Sequence, residues 1–227
     1  MISARKILTI LVLVLLGLSL ARIAGLVSTY SLGDPHANGL VPLFDFNQEQ
    51  SVPTWFSTAL LMVCASLLAV IAAAQRREGG PYLWWTTLAF VFLYLSMDEA
   101  LAFHERFNRP VRDLLNTSGA LYYAWVIPYA FFAVLLLLCS IRPLKALSKS
   151  TRTLLVVAGV LFVCGAMGME VLGSYLATSN RMQATLVSDL VMMVEELMEL
   201  SGTIILVYAL MKQIAHAHPG WGVTIRD

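Results

Sequence analysis

The sequence has little charge and few cysteines. Only 13% of its 227 residues are Asp, Glu, Lys or Arg, while 59% are hydrophobic. A soluble domain has about a quarter of its residues charged and about half apolar, so the composition excludes an ordinary soluble protein. Cys64, Cys139 and Cys164 stand singly within apolar runs and form no CxxC pair. We therefore expect small buried thiols rather than a disulfide framework or a thiolate metal site.

Several signature motifs are also missing. The chain has no Gly-x-Ser-x-Gly, no P-loop and no dinucleotide-binding glycine motif, which disfavours serine hydrolases and nucleotide-driven chemistry. Basic residues occur as short groups rather than along one face, so no nucleic-acid partner is predicted. No internal repeat of the kind found in inverted-repeat transporters is visible.

The chain instead has six long apolar runs, each near the roughly 20 residues that cross the hydrocarbon core of a bilayer. We predict an all-α fold, a polytopic membrane protein built as a bundle of six transmembrane helices in a single domain over residues 1–227. An alternative for the first run is a cleaved signal peptide, because Arg5 and Lys6 precede it and Ser19-Leu20-Ala21 resembles a cleavage site; five helices would then remain. The predicted spans are 7–29, 54–75, 82–104, 120–141, 153–177 and 184–212, with an outer loop over 30–53.

Basic residues are sorted to alternate loops. Arg5 and Lys6 precede the first run, Arg76 and Arg77 follow the second, and Lys212 ends the sixth, whereas the charges of the outer loop are all acidic. By the positive-inside rule, both termini are predicted to be cytoplasmic. A bacterial inner (plasma) membrane is the expected location. In the outer loop, Phe44, Phe46 and Trp55 predict either a lid over the bundle or a stretch that rests at the interface.

Acidic residues are concentrated in the apolar runs, where an ionised side chain costs free energy. An ionised side chain within the bilayer costs about 2.5–3.5 kcal/mol or more, and no Lys or Arg lies in the middle of a span to balance it. Protonation, a water-filled cavity or a bound metal ion would remove this cost, and each implies a polar site inside the bundle. Eight of the fourteen acids lie in or at the edges of apolar runs: Asp98, Glu99, Glu105, Glu170, Asp189, Glu195, Glu196 and Glu199.

Helical spacing predicts that these acids converge. Glu199 is four residues from Glu195 and three from Glu196, so the three carboxyls can meet on one face. In a continuous third helix, Asp98 and Glu105 would share a face, with His104 about 100° away. The depths along each span predict a polar cavity in the outer half of the bundle that opens to the outer side.

Carboxylates with an imidazole are ligands of divalent metals, here iron, manganese, zinc, magnesium or calcium. The first hypothesis is a metal-dependent enzyme, a hydrolase or oxidoreductase that acts on a lipid or another membrane-borne substrate. Glu99 and Glu196 are its predicted catalytic residues, one serving as a general base. The predicted metal ligands are Asp98, His104, Glu105, Glu170, Glu195 and Glu199.

Two other hypotheses remain open. Chains of acids within a bundle also serve proton- or cation-coupled transporters. Alternatively, the chain is an accessory subunit whose acids meet basic residues of a membrane partner. Membrane lipids, and either such a subunit or a second copy of the chain, are the expected partners.

Two smaller expectations concern packing. Tyr122, Tyr123 and Trp125 are predicted to mark the outer aromatic belt, and Trp84 and Trp85 the inner one. Close helix approach is expected at the glycines of the fifth and sixth spans: Gly159, Gly165, Gly168, Gly173 and Gly202.

Overall fold

The computed structural model describes residues 2–178, 186–217 and 223–224, and its regular structure is helical apart from one short pairing of strands. In that pairing β1 (Ile2–Ser3) lies parallel to β2 (Val223–Thr224). The all-α prediction is confirmed. The helices are α1 (Ala4–Ser31), α2 (Leu40–Leu43), α3 (Val52–Arg77), α4 (Tyr82–Leu101), α5 (Phe103–Leu115), α6 (Val126–Ala146), α7 (Lys149–Val163), α8 (Glu170–Thr178) and α9 (Leu186–Ala217), with 3₁₀ turns at Ala37–Gly39 and Gly119–Leu121 and a π-helical segment at Cys164–Met169.

The prediction of six spans is not confirmed. Four helical stretches of the described residues are long and apolar enough to cross a membrane: α1, α3, α6 and the run from Lys149 to Thr178 that joins α7, the π-helical segment and α8. A fifth is counted if α4 and α5 form one bent span. The predicted sixth span, 184–212, corresponds to α9 and is not among them, and its first two residues lie outside the described part. The helices are those of a membrane protein with four or five candidate spans.

Local sequence explains where the helices begin. Ser51 accepts a hydrogen bond from the Thr54 N–H, which caps α3, and Pro53 occupies the first turn, where its missing N–H costs nothing. Ser148 caps α7 in the same way through the Thr151 N–H. These polar caps fix the ends of helices whose interiors are apolar.

The core of the bundle surrounds α9. Its second half contributes Leu200, Ile204 and Leu210, all nearly inaccessible, and packs against α1, α3 and α7. Leu68 and Ile71 of α3 complete the same cluster. Since lipid tails are as apolar as these side chains, tight van der Waals packing rather than the hydrophobic effect favours this arrangement within a membrane.

The prediction that 82–104 forms one continuous helix is wrong. The helix ends at Leu101, Ala102 adopts a left-handed conformation (φ 47°, ψ 49°), and α5 leaves at 85° to α4. A helix of L-residues cannot continue through that conformation. Asp98 and Glu105 therefore lie on different helices and do not share a face as predicted.

Close helix approach is found at two of the five glycines for which it is predicted. A Cβ on Gly165 would lie 2.9 Å from Glu199 Cγ, and one on Gly202 would lie 2.8 Å from the Ala158 carbonyl oxygen. At Gly159, Gly168 and Gly173, an added Cβ would have no described atom within 4 Å. Helix spacing is thus restricted where the π-helical segment and α7 cross α9.

The tryptophans predicted to mark the aromatic belts contact interior groups of the bundle. Trp85 and Trp125 are buried inside the protein, at 3% and 6% exposure, and their depth in a membrane stays a prediction. Trp84 donates its indole N–H to the Ser140 hydroxyl at 2.9 Å, which joins α4 to α6. The sequence pattern alone does not distinguish a tryptophan at the membrane interface from one whose indole N–H donates to a polar group inside the bundle.

Candidate functional site

The helix break at Ala102 builds the first part of the site. Because α5 turns back over the end of α4, the His104 backbone N–H donates to Asp98 Oδ1 at 2.7 Å, and His104 Nδ1 lies 3.4 Å from the same oxygen. Asp98 is 5% exposed. The carboxylate therefore both caps α5 and orients the imidazole beside it.

The second oxygen of Asp98 faces two tyrosines. The Tyr129 hydroxyl donates to Asp98 Oδ2 at 3.2 Å, and the Tyr94 and Tyr129 hydroxyls lie 2.6 Å apart. Tyr94 is among the exposed aromatic residues. A continuous hydrogen-bonded chain thus runs from the outside of the bundle through Tyr129 and Asp98 to His104.

Trp125 joins α5, α6 and α8. Its indole N–H donates to Glu170 Oε1 at 2.8 Å, and its backbone N–H donates to Asn108 Oδ1 at 3.2 Å. The His104 and Trp125 rings lie 4.8 Å apart. Glu170 is consequently held beside His104 by an aromatic residue that the sequence analysis assigned to the membrane interface.

Glu196 and Glu199 of α9 lie within electrostatic range of Glu99 of α4, and all three side chains are partly buried. The Ser57 hydroxyl of α3 lies close to the Glu99 carboxylate. The strongest electrostatic neighbours of Glu196 and Glu199 are other carboxyl groups. The close approach at Gly165 brings the π-helical segment against the Glu195 and Glu199 backbone. We call the resulting group the acidic cluster: Glu99, Glu170, Glu195, Glu196 and Glu199.

The outer loop, residues 32–51 as the structure has it, folds over this end of the bundle. Phe46 is 3% exposed and belongs to the core, whereas Trp55 just beyond the loop is 70% exposed. Burial raises the pKa of Glu49, and the nearby Glu105 carboxylate raises this pKa further. The loop therefore packs against the core through Phe46, and its Glu49 lies within electrostatic range of His104; the choice between a lid and a stretch at the interface stays a prediction.

The tip of the outer loop is held by Asp34. Its Oδ1 accepts the backbone N–H groups of Ala37 and His36 at 2.8 and 3.1 Å. These bonds lower the pKa of Asp34 below its ordinary value.

One basic residue does balance embedded acids. Arg22 of α1 is buried, and its guanidinium lies 3.1 Å from Asp45 Oδ1 and 3.2 Å from Asp189 Oδ1. The Tyr30 hydroxyl also donates to Asp189 Oδ2 at 2.8 Å. The expectation that the embedded acids lack a cation from the chain is wrong for Asp189, which belongs to this ionic contact and not to the acidic cluster.

The predicted site residues divide into three groups. Asp98 and His104 are in direct contact, the acidic cluster lies within mutual electrostatic range, and Glu105 is exposed in the first turn of α5. Within the described ranges, no three His, Cys, Asp or Glu side chains converge closely enough to hold a metal ion. The metal-binding prediction is therefore not supported by this geometry, and the catalytic roles of Glu99 and Glu196 stay predictions. The residues that sequence reasoning missed are Trp125, Tyr129, Tyr94, Ser57 and Asn108.

One protein family matches the chain, and its description names no activity. Residues 7–214 match a protein family described as a domain of unknown function (DUF8692). No curated protein and no solved structure matches the chain. The functional conclusion must come from the site itself.

Proposed function

The chain belongs to the DUF8692 family, and we propose that it is an integral membrane protein whose acidic cluster binds cations, with protons as the occupants that the described geometry favours. The cluster would be the loading site of a proton-coupled transporter. The observation that carries this proposal is the grouping of the partly buried Glu99, Glu196 and Glu199 within electrostatic range of one another.

Several negative charges in one partly buried place are energetically costly. Each ion removed from water costs several kcal/mol, and like charges in a medium of low dielectric constant add to that cost. His104 is already engaged by Asp98, and Arg22 by Asp45 and Asp189. Within the described part of the chain, no Lys or Arg side chain pairs with the carboxyls of the acidic cluster, so protons or an external cation would stabilise them together.

The direction of access follows from what surrounds the cluster. On one side lie the exposed Glu105 and the outer loop with Glu49. On the other side, α9 continues with buried apolar residues, and the Thr203 hydroxyl is engaged by the Glu199 backbone carbonyl at 2.9 Å. In this conformation the site would exchange protons with the side of the outer loop, which the charge distribution predicts to be the external side.

The tyrosine chain provides a second connection to the same site. Tyr94, Tyr129 and Asp98 are hydrogen-bonded in sequence, and Asp98 contacts His104. Hydroxyl and imidazole groups can pass a proton by exchanging donor and acceptor roles. This chain supports His104 as the group through which the acidic cluster gains and loses protons.

The proposal is tested by infrared spectroscopy and by proton flux. In the purified chain, Glu196→Gln and Glu199→Gln should each remove intensity from the band of protonated carboxylic acids. In liposomes containing a pH-sensitive dye, both variants should lose proton flux. The matched control is Asp113→Asn, which changes an exposed surface acid that pairs with Arg109 on the same helix. Unchanged flux and an unchanged infrared band in both glutamine variants would contradict the proposal.

Metal analysis of the same preparations separates the alternatives. A stoichiometric divalent metal that disappears in Glu196→Gln and in Asp98→Asn would favour the metal-dependent enzyme over proton transport. Constant co-purification of one membrane protein would favour the accessory-subunit hypothesis.

A further inference from the structure

A groove lies at the opposite end of the bundle from the acidic cluster. It is open to the outside, has a volume of about 550 Å³, and runs between the beginning of α7 and the last turns of α9. Its lining residues are Lys149, Ser150, Thr153, Leu154, Tyr208 and Lys212.

The charge of this groove is positive. Lys149 and Lys212 line it, and no carboxylate is among the lining residues. Lys212 lies near the end of α9. Its Nζ donates to the Ser150 hydroxyl oxygen at 2.6 Å, and this hydrogen bond holds the ammonium group at the groove. The lining residues carry two ammonium groups and three hydroxyls, which are donors suited to a phosphate group.

The surroundings of the groove favour the phosphate of a lipid over a soluble phosphate. Leu154 and the Tyr208 ring give the groove an apolar part. From Thr153 the exposed face of α7 continues through Val157 and Val160, which are 43% and 55% exposed. An acyl chain can lie along this face while the headgroup occupies the groove. A soluble phosphate has no acyl chain and would not contact this apolar face.

We propose that this groove binds the phosphate of an anionic glycerophospholipid. Basic pockets between transmembrane helices bind anionic headgroups in this way. Because the groove and the acidic cluster share no residue, the lipid site stands or falls independently of proton binding.

The test uses the full chain in detergent and native mass spectrometry with phosphatidylglycerol as the probe. The double substitution Lys149→Gln/Lys212→Gln should weaken phosphatidylglycerol binding by about 30-fold, since each basic residue near an anionic lipid contributes roughly fivefold. Phosphatidylcholine, whose headgroup has no net charge, should bind weakly to every variant. The matched control is Lys6→Gln/Lys145→Gln, which removes the same charge from residues that do not line the groove and should leave binding unchanged.

A second variant separates a pocket from general attraction between charges. Thr153→Trp keeps both lysines and fills the groove, so phosphatidylglycerol binding should fall as it does in the double substitution. Equal weakening by the groove and the control double substitutions would overturn the proposal, and so would full binding by Thr153→Trp. Displacement of phosphatidylglycerol by inorganic phosphate at comparable concentration would overturn the assignment to a lipid.

Discussion

Arg22 joins three parts of the chain through one side chain. It lies in α1, contacts Asp45 of the outer loop, and contacts Asp189 of α9. Removal of the guanidinium leaves two neighbouring carboxylates without a counter-ion, and both are largely buried. We predict that Arg22→Gln lowers the free energy of unfolding by about 2 kcal/mol, less than for a fully buried pair because both acids retain some solvent contact.

Thermal unfolding in detergent measures this effect. Lys6→Gln removes a basic residue from the same helix and should change the melting temperature little. Asp189→Asn should have an intermediate effect, because Arg22 keeps Asp45 and Tyr30 can still donate to the amide oxygen. A melting temperature that Arg22→Gln leaves unchanged would show that the ionic contact contributes no stability.

Trp125 acts on the site through its indole N–H. Trp125→Phe keeps most of the ring but leaves Glu170 without its hydrogen-bond donor, and we predict a loss of about 1–2 kcal/mol of stability. Trp55→Phe, at a residue that is 70% exposed, should cost much less. The two melting temperatures, measured under the same conditions, check the prediction. Equal losses would mean that the bond to Glu170 contributes nothing of its own.

At the scale of elements, the crossing of the π-helical segment and α9 depends on Gly165. A Cβ there would lie 2.9–3.1 Å from Glu199 Cγ, the Glu195 carbonyl oxygen and the Glu199 backbone nitrogen. Since backbone atoms cannot move aside cheaply, we predict that Gly165→Ala destabilises the protein by about 1–3 kcal/mol.

Gly159 offers the matched control for this prediction. It lies in α7 with no described atom within 4 Å of an added Cβ, so Gly159→Ala should be neutral or should stabilise the helix by up to about 1 kcal/mol. Unfolding measurements on the two alanine variants should therefore give shifts of different size, with the large loss at Gly165. Similar shifts would contradict the close packing at this crossing.

The sequence predicted the elements better than their junctions. Apolar length located α1, α3 and α6, and helical spacing indicated that Glu195, Glu196 and Glu199 share one face of α9, but the proximity of Glu99 to that face was not predicted. The sequence did not indicate the break at Ala102, because alanine is a good helix former; in the structure the Asp98 carboxylate accepts the His104 N–H across this break. The role of Arg22 was also missed, since its partners are far from it in the chain.

For the whole molecule, we predict that the packing of the outer loop against the bundle depends on pH. Burial and the nearby Glu105 raise the pKa of Glu49 above its ordinary 4.5 when the loop is packed. A carboxyl with a raised pKa favours the packed state below the ordinary pKa, and this preference is lost as the pH rises through the raised value. We predict that hydrogen-exchange protection factors over residues 44–50 fall as the pH rises from about 4.5 toward neutrality.

Glu49→Gln should make this protection independent of pH over that range, because the amide does not ionise. Asp34 should show the opposite pH dependence, because its pKa is shifted in the opposite direction. Its pKa is lowered by the Ala37 and His36 N–H groups, so the stability that it gives to the loop tip is present above the ordinary pKa and lost as the pH falls through the lowered value. Protection that varies equally in the wild type and in Glu49→Gln would remove Glu49 as the cause.

The pairing of Ile2–Ser3 with Val223–Thr224 has a practical consequence. Two strands joined by backbone hydrogen bonds cannot lie in different aqueous compartments. Reporter enzymes fused to the first and last residues should therefore give the same compartment signal, and complementary fragments of a split fluorescent protein, one at each end, should assemble on a single chain.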